Sequence, residues 1–290
     1  MRRLIINADD FGLTSGVNRA IVEAHDHGVV SSGTLMANGH AFEEAVSLAR
    51  ERSRLGVGCH IVLVDGTPVL EPRQVRSLLQ PGEDTHFRGG IGKFGALALL
   101  ARLAPDEIEA EAIAQIRKIQ SAGVAITHLD SHKHTHLFPH ILRPLLRAAQ
   151  TCEIRAIRNP FERIQGSQLA ASPSMWKRWI EVGVLHSFAR QFREAVQQAG
   201  IFTPDGTLAI VATGTLNERL LRIMVENLPE GTWELVCHPG YNDADLQAVH
   251  TRLRAAREEE LRILTSLATR DLMSENGIEI ISFREAISAK

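Results

Sequence analysis

Apolar runs of strand length alternate with periodic segments of helix length along almost the whole chain. The strand-like runs are 3–8, 33–38, 57–64, 124–129, 154–158, 207–212, 232–237 and 278–283. The helix-like segments are 15–28, 41–53, 105–122, 138–151, 174–199, 215–227 and 246–274. Parallel strands need crossovers longer than a tight turn, so this alternation predicts parallel strands joined by helices. Eight such runs in 290 residues predict a single-domain, TIM-barrel-like (β/α) barrel rather than an open sheet. Two stretches break the rhythm. Residues 65–104 hold Pro68, Pro72, Pro81, Gly82, Gly89, Gly90, Gly92 and Gly95 with no clear strand. A connection this long is expected to be an excursion over the active face, and Phe94–Leu103 forms an apolar patch within it. Residues 159–175 are also irregular and lead into Met175-Trp176-Lys177-Arg178-Trp179.

Composition removes several function classes. A hydrophobic content of 44% supports a large core. A formal charge of −2 gives no polyanion-binding signature, so no nucleic-acid partner is expected. Cys59, Cys152 and Cys237 are scattered and form no C-x-x-C, which argues against a disulfide framework or a cysteine zinc site. Both Cys59 and Cys237 precede a histidine of interest and read as small buried neighbours of a site. Arg2-Arg3 is followed by only three strongly apolar residues, far short of a secretory h-region. No run approaches the roughly 18–20 apolar residues of a spanning helix. The expectation is a cytosolic protein, with peripheral contact at the inner membrane face as an option. Neither G-x-G-x-x-G, Walker A nor G-x-S-x-G is present, so nucleotide binding and serine hydrolase chemistry lack motif support.

In a parallel barrel the chemistry sits at the carboxyl ends of the strands. Asn7-Ala8-Asp9-Asp10-Phe11-Gly12 follows the apolar start Leu4-Ile5-Ile6. Adjacent acids at the exit of a buried strand resist joint ionisation and lose hydration, so a cation or a chemical task is expected there. Helix capping would account for one acid and leave the other unexplained. His60 lies in the apolar strand Gly56–Leu63, where flanking glycines permit close approach of a ligand. Read alone, it is equally a satisfied core histidine. The segment 128–136 carries four histidines and Asp130. If it begins as a strand, His128, Asp130 and His132 share one face, while His134 and His136 lie beyond the turn. Imidazole suits zinc, copper, nickel or iron, whereas a pure magnesium site prefers oxygen ligands. Two histidines and one carboxylate leave positions open for water and substrate, as metal-assisted hydrolysis requires. His238-Pro239-Gly240-Tyr241 closes the run 232–237. His238 reads as a general acid poised near neutral pH, or as a turn histidine before Pro-Gly.

NADDFG, the histidine in the third strand, THLDSHxHxH and the late HPG together resemble the YdjC-like (ChbG-type) carbohydrate deacetylases, over nearly the whole chain. The amino-terminal and central segments resemble the hopanoid-biosynthesis-associated branch, HpnK. The resemblance implies a TIM-barrel-like fold and metal-dependent removal of N-acetyl groups from amino sugars. By position, Asp10, His60 and His132 resemble the ligands of a divalent metal, zinc or magnesium. Asp9 resembles the general base and His238 the general acid. Arg155 or Arg158 resembles the arginine that steadies these groups. His128 and Asp130 match the motif and are read as supports behind the ligands. The family also hints at a homodimer. The branch implies an N-acetylglucosaminyl hopanoid as substrate, so the protein would meet a lipid surface. Phe94–Leu103 and the basic-aromatic segment Met175–Phe192 could do so, although an aromatic stripe reads equally as core or dimer contact. Other readings stay open. One is deacetylation of soluble chito-oligosaccharides. Another is a metal-dependent phosphoesterase using His134 and His136 as further ligands. The last is a non-catalytic metal- or lipid-binding protein, against which Asp9 counts.

Overall fold

The computed structural model describes residues 1–82, 85–162, 183 and 186–288. Among them, seven strands form one sheet: β1 (Arg2–Phe11), β2 (Ser32–Leu35), β3 (Gly56–Ile61), β4 (Leu129–Ser131), β5 (Gly206–Leu208), β6 (Gly231–Cys237) and β7 (Ile278–Ile280). The order is β4-β3-β2-β1-β6-β5, with β7 beside the start of β1. All six strand pairings are parallel. β1 is the axis of the fold. It pairs with β6 from Arg2 to Ala8, and its other edge is shared by β7 at Arg2–Leu4 and β2 from Asn7 onward. Leu4 through Phe11 are all buried, as expected of a strand covered on both faces.

The expected fifth strand, 154–158, is not a strand. It makes isolated parallel bridges, Leu129↔Ile157 and Ala156↔Phe202, and a third bridge joins Glu162 to Thr207. These single contacts link the β4 end of the sheet to the β5 end, so the sheet curls into a half-barrel rather than a regular eight-stranded ring. Pro160 follows at once and has no N–H to offer a ladder. The run 124–129 likewise contributes a strand only from Leu129.

Helices cross between the strands: α1 (Ser15–Asp26), α2 (Phe42–Arg50), α3 (Ile91–Leu99), α4 (Pro105–Ser121), α5 (Pro139–Thr151), α6 (Ala189–Gln198), α7 (Glu218–Glu226), α8 (Ala244–Ala248), α9 (Ala255–Thr265), α10 (Leu267–Glu275) and α11 (Phe283–Ser288). Thr14, not an acid of the doublet, caps α1 by accepting the Val17 N–H at 3.2 Å. The segment 246–274 is not one helix, because extended backbone at Ser266 ends α9 and its hydroxyl caps α10. The excursion 65–104 carries α3 and no strand among its described residues. Its start is pinned to α4, where Glu111 accepts the N–H groups of Val69 (2.7 Å) and Leu70 (3.0 Å). Of the basic-aromatic segment, Met175, Trp176, Lys177, Arg178 and Trp179 lie outside the described residues. Phe192 is buried and packs edge-on against Phe161 at 5.6 Å, so this part of the stripe is core.

Candidate active site

The acid doublet sits in a bulge. β1 pairs with β2 at Ala8↔Gly33 and next at Phe11↔Leu35, so β1 carries one extra residue between those points. Asp10 takes the left-handed conformation, φ 68°. In a regular strand consecutive side chains face opposite sides. The bulge breaks that alternation and lets both carboxylates reach one cluster. A non-glycine residue in this conformation costs on the order of 1–3 kcal/mol, and Asp tolerates it better than most.

Asp10 Oδ1 lies 3.5 Å from His60 Nε2 and 3.4 Å from His132 Nδ1. The two ring nitrogens are 3.4 Å apart. His60 comes from β3, and His132 follows β4 directly. Donors about 2.0–2.1 Å from a tetrahedral ion stand roughly 3.4 Å from one another, so this triangle has the spacing of a three-ligand cation site. Asp130 Oδ1 meets His60 Nδ1 at 2.7 Å, which aims Nε2 at the triangle. Burial works against a charged His60 ring, but Asp130, Asp9 and Asp10 outweigh it and raise its pKa to about 9. The same three carboxylates make the surroundings of His60 favourable to positive charge.

Asp9 stands beside this triangle in the bidentate grip of buried Arg158, at 2.6 and 2.8 Å. Burial alone would raise the Asp9 pKa, yet Arg158 holds it well below the ordinary carboxylate range. Arg158 also contacts Asp130 Oδ2 at 2.6 Å and Glu234 Oε1 at 2.8 Å. At Glu234 burial prevails and lifts the pKa to about 8. His238, in the turn after β6, places Nε2 3.9 Å from Asp9 Oδ2. Burial depresses its pKa to about 4, so the ring is neutral at neutral pH rather than poised there. Its backbone N–H donates to Glu260 Oε2 at 2.5 Å. One helical turn earlier on α9, Arg257 Nη2 donates to Asp10 Oδ2 at 2.5 Å.

A polar layer supports these groups from behind. The Thr34 hydroxyl lies 3.2 Å from Asp9 Oδ1, 3.1 Å from Asp130 Oδ2 and 3.3 Å from His60 Nδ1. Asn7 donates to Asp9 Oδ1 at 2.9 Å, and His128 Nε2 lies 3.1 Å from Asn7 Oδ1. The His128 ring stacks on Phe283 at 3.7 Å. His136 is buried against Ser131 Oγ at 2.6 Å, and His134 is half-buried. Neither joins the triangle. Among the described residues the other metal-like grouping is Asp9, His60 and Asp130. It shares His60, and Arg158 already occupies both its acids.

Of the two arginines matched to one role, Arg158 enters the cluster and Arg155 does not. Arg155 is exposed, because residues three apart in extended chain face opposite sides. Glu234, Arg257, Glu260 and Thr34 were not singled out in the sequence, and Asn7 entered only as the first residue of NADDFG. Glu234 did leave a signal, as a charged residue inside the apolar run 232–237. A cavity of about 810 Å³ lies on the same rim, lined by residues following β1, β2 and β3, among them Leu13, Met36, Asn38 and Asp65. Asp65 forms an ion pair with Lys133, next to His132.

The YdjC-like protein family model matches residues 3–275. The carbohydrate deacetylase of Brevibacillus brevis is 35% identical over 286 residues, covering 98% of this chain and 99% of its own. That of Geobacillus stearothermophilus is 31% identical over 285 residues and covers 98% of both. A crystal structure of an Enterococcus faecalis protein superposes with a TM-score of 0.80 at 26% identity, covering 98% of each chain.

Proposed function

Because the chain belongs to the YdjC-like family, we propose that it is a metal-dependent hydrolase that removes the acetyl group from an N-acetylated amino sugar. The observation that carries this reading is the separation of two adjacent acids. Asp10 converges with two imidazoles through one oxygen, while both oxygens of Asp9 are taken by Arg158 and its Oδ2 faces His238.

A divalent ion on Asp10, His60 and His132 would polarise the amide carbonyl and acidify a water. Asp9, aimed and kept ionised by Arg158, accepts the proton as the water oxygen attacks the carbonyl carbon. His238 is neutral in the resting site, so its proton must arrive during the reaction. Asp9 Oδ2, 3.9 Å from His238 Nε2, would pass on the proton taken from the water through one bridging water or a small approach of the ring. His238 then protonates the amine nitrogen as the C–N bond breaks, releasing acetate and the free amino sugar. Asp130 and Thr34 hold His60 in place throughout. Two imidazoles, one carboxylate and the near-tetrahedral spacing favour zinc over magnesium, which prefers six oxygens.

The finer reading of the substrate is a lipid-linked N-acetylglucosaminyl group on a hopanoid, met at the inner membrane face. It rests on the amino-terminal and central motifs and on the excursion. There, Ile91, Leu99 and Leu100, on α3 and at its C-cap, are 38%, 57% and 66% exposed. Among the described residues no helix is long and apolar enough to cross a membrane, so contact would be peripheral. Soluble chito-oligosaccharides are the alternative. A two-metal phosphoesterase is disfavoured, because His134 and His136 stay out of the triangle.

The test is acetate release by protein stripped of metal and then supplied with zinc or magnesium, using chitobiose and an N-acetylglucosaminyl hopanoid. Zinc-dependent acetate from the lipid supports both reaction and acceptor. Acetate from chitobiose alone keeps the reaction and removes the hopanoid. No acetate from either, with zinc bound and His132→Ala unable to bind it, overturns the deacetylase reading.

A further inference from the structure

We propose that Arg257 is a positioning residue that commits Asp10 to hold a divalent ion through Oδ1 alone. This rests on the metal-site reading above. The two oxygens of Asp10 have different partners. Oδ1 faces His60 Nε2 and His132 Nδ1 at 3.5 and 3.4 Å, while Oδ2 lies 2.5 Å from Arg257 Nη2. A carboxylate free at Oδ2 can turn and bind an ion with both oxygens. That would fill a position that water and substrate require in an open hydrolytic site. Arg257 prevents the turn by holding the second oxygen.

The arginine is itself placed by the fold. Its Nε donates to the Leu253 carbonyl at 3.2 Å, and its carbonyl accepts the Gly240 N–H at 3.3 Å. Gly240 belongs to the His-Pro-Gly turn, and a Cβ there would stand 2.9 Å from Arg257 Cδ. The glycine of that motif therefore makes room for the arginine stem. Arg257 is 1% exposed, and its Nη1 has no partner among the described residues. A buried guanidinium with an unsatisfied nitrogen is a poor stabilising device. Retaining it is better explained by what it does to Asp10.

Cobalt(II) loaded into metal-free protein reads the coordination directly, since four-coordinate cobalt absorbs visible light several-fold more strongly than five- or six-coordinate cobalt. Arg257→Met should lose several-fold of that absorbance, as Asp10 gains a second bond to the ion. Arg257→Lys, which keeps a cationic donor, should retain the wild-type spectrum. Should Arg257→Met fail to fold, Arg257→Gln, neutral and too short to reach Oδ2, should show the same loss. A wild-type spectrum in either neutral variant overturns the inference and leaves the metal site intact. A wild-type protein that binds no cobalt overturns both.

Discussion

Asp9 and Asp10 are neighbours in the chain, yet each is held by a different buried arginine. Arg158 grips both oxygens of Asp9 at 2.6 and 2.8 Å, and Arg257 takes one oxygen of Asp10 at 2.5 Å. The guanidiniums explain how two adjacent carboxylates remain ionised in a buried cluster, since each lowers the pKa of its own acid against the effect of burial. They also divide the labour. The doubly gripped acid keeps a fixed direction, and the singly gripped acid leaves one oxygen to the two histidines.

Arg158→Lys should replace a planar two-point grip by a single ammonium. If Asp9 is the base, misplacing it in this way should lower kcat by about 10²-fold, with zinc content unchanged. Arg158→Met would strand the buried carboxylates of Asp9 and Asp130 and cost about 3–5 kcal/mol of stability by thermal unfolding. The exposed Arg155→Ala should leave both kcat and stability near wild type. Equal losses for Arg155 and Arg158 would contradict the assignment.

Glu234 gives a pH signature. Its folded pKa is raised to about 8 by burial. The folded protein therefore holds a proton that the unfolded chain releases above an ordinary carboxylate value near 4.3. Stability from this group is complete below that value and is lost as pH rises toward 8. Glu234→Gln stays neutral, and its amide oxygen can still accept from Arg158. Wild-type stability should therefore fall relative to Glu234→Gln between pH 5 and 8 in metal-free protein, by denaturant titration. Glu260 and Glu162, each raised to about 7, slope the same way in both proteins and cancel in the difference. Parallel curves would show that Glu234 is already ionised.

Leu99 and Leu100 are exposed at the end of α3 on the excursion, and neither contributes a polar group to the Asp9–Asp10 cluster. Replacing both with serine should weaken flotation with anionic vesicles and slow acetate release from the lipid-linked substrate. Release from chitobiose should not change. Undiminished flotation would remove the excursion as the membrane contact.

Much of this was legible in the sequence, for physical reasons. β1, β3 and β6 are buried on both faces and so read as apolar runs, and Asp10, His60 and His132 stand out because charged groups at such ends are costly without a task. Arg257 and Glu260 were hidden. They lie in Arg257-Glu258-Glu259-Glu260, which looks like a solvated helix face. Their burial is decided by the turn after β6 and by Asp10, 247 residues away from Arg257. The segment 154–158 has the composition of a strand, but Pro160 and the irregular chain beyond it leave only bridges. The break at Ser266 was invisible because the apolar periodicity continues across it.

The most direct measurement is zinc content and acetate release, made together, on Asp9→Asn and Asp10→Asn. Asp9→Asn should retain zinc and lose at least about 10²-fold in turnover, as expected for removal of a general base. Asp10→Asn should lose zinc and turnover together. If Asp9→Asn also sheds its zinc, or turns over as wild type does, then the two acids are not a base and a ligand and the account of the site is wrong.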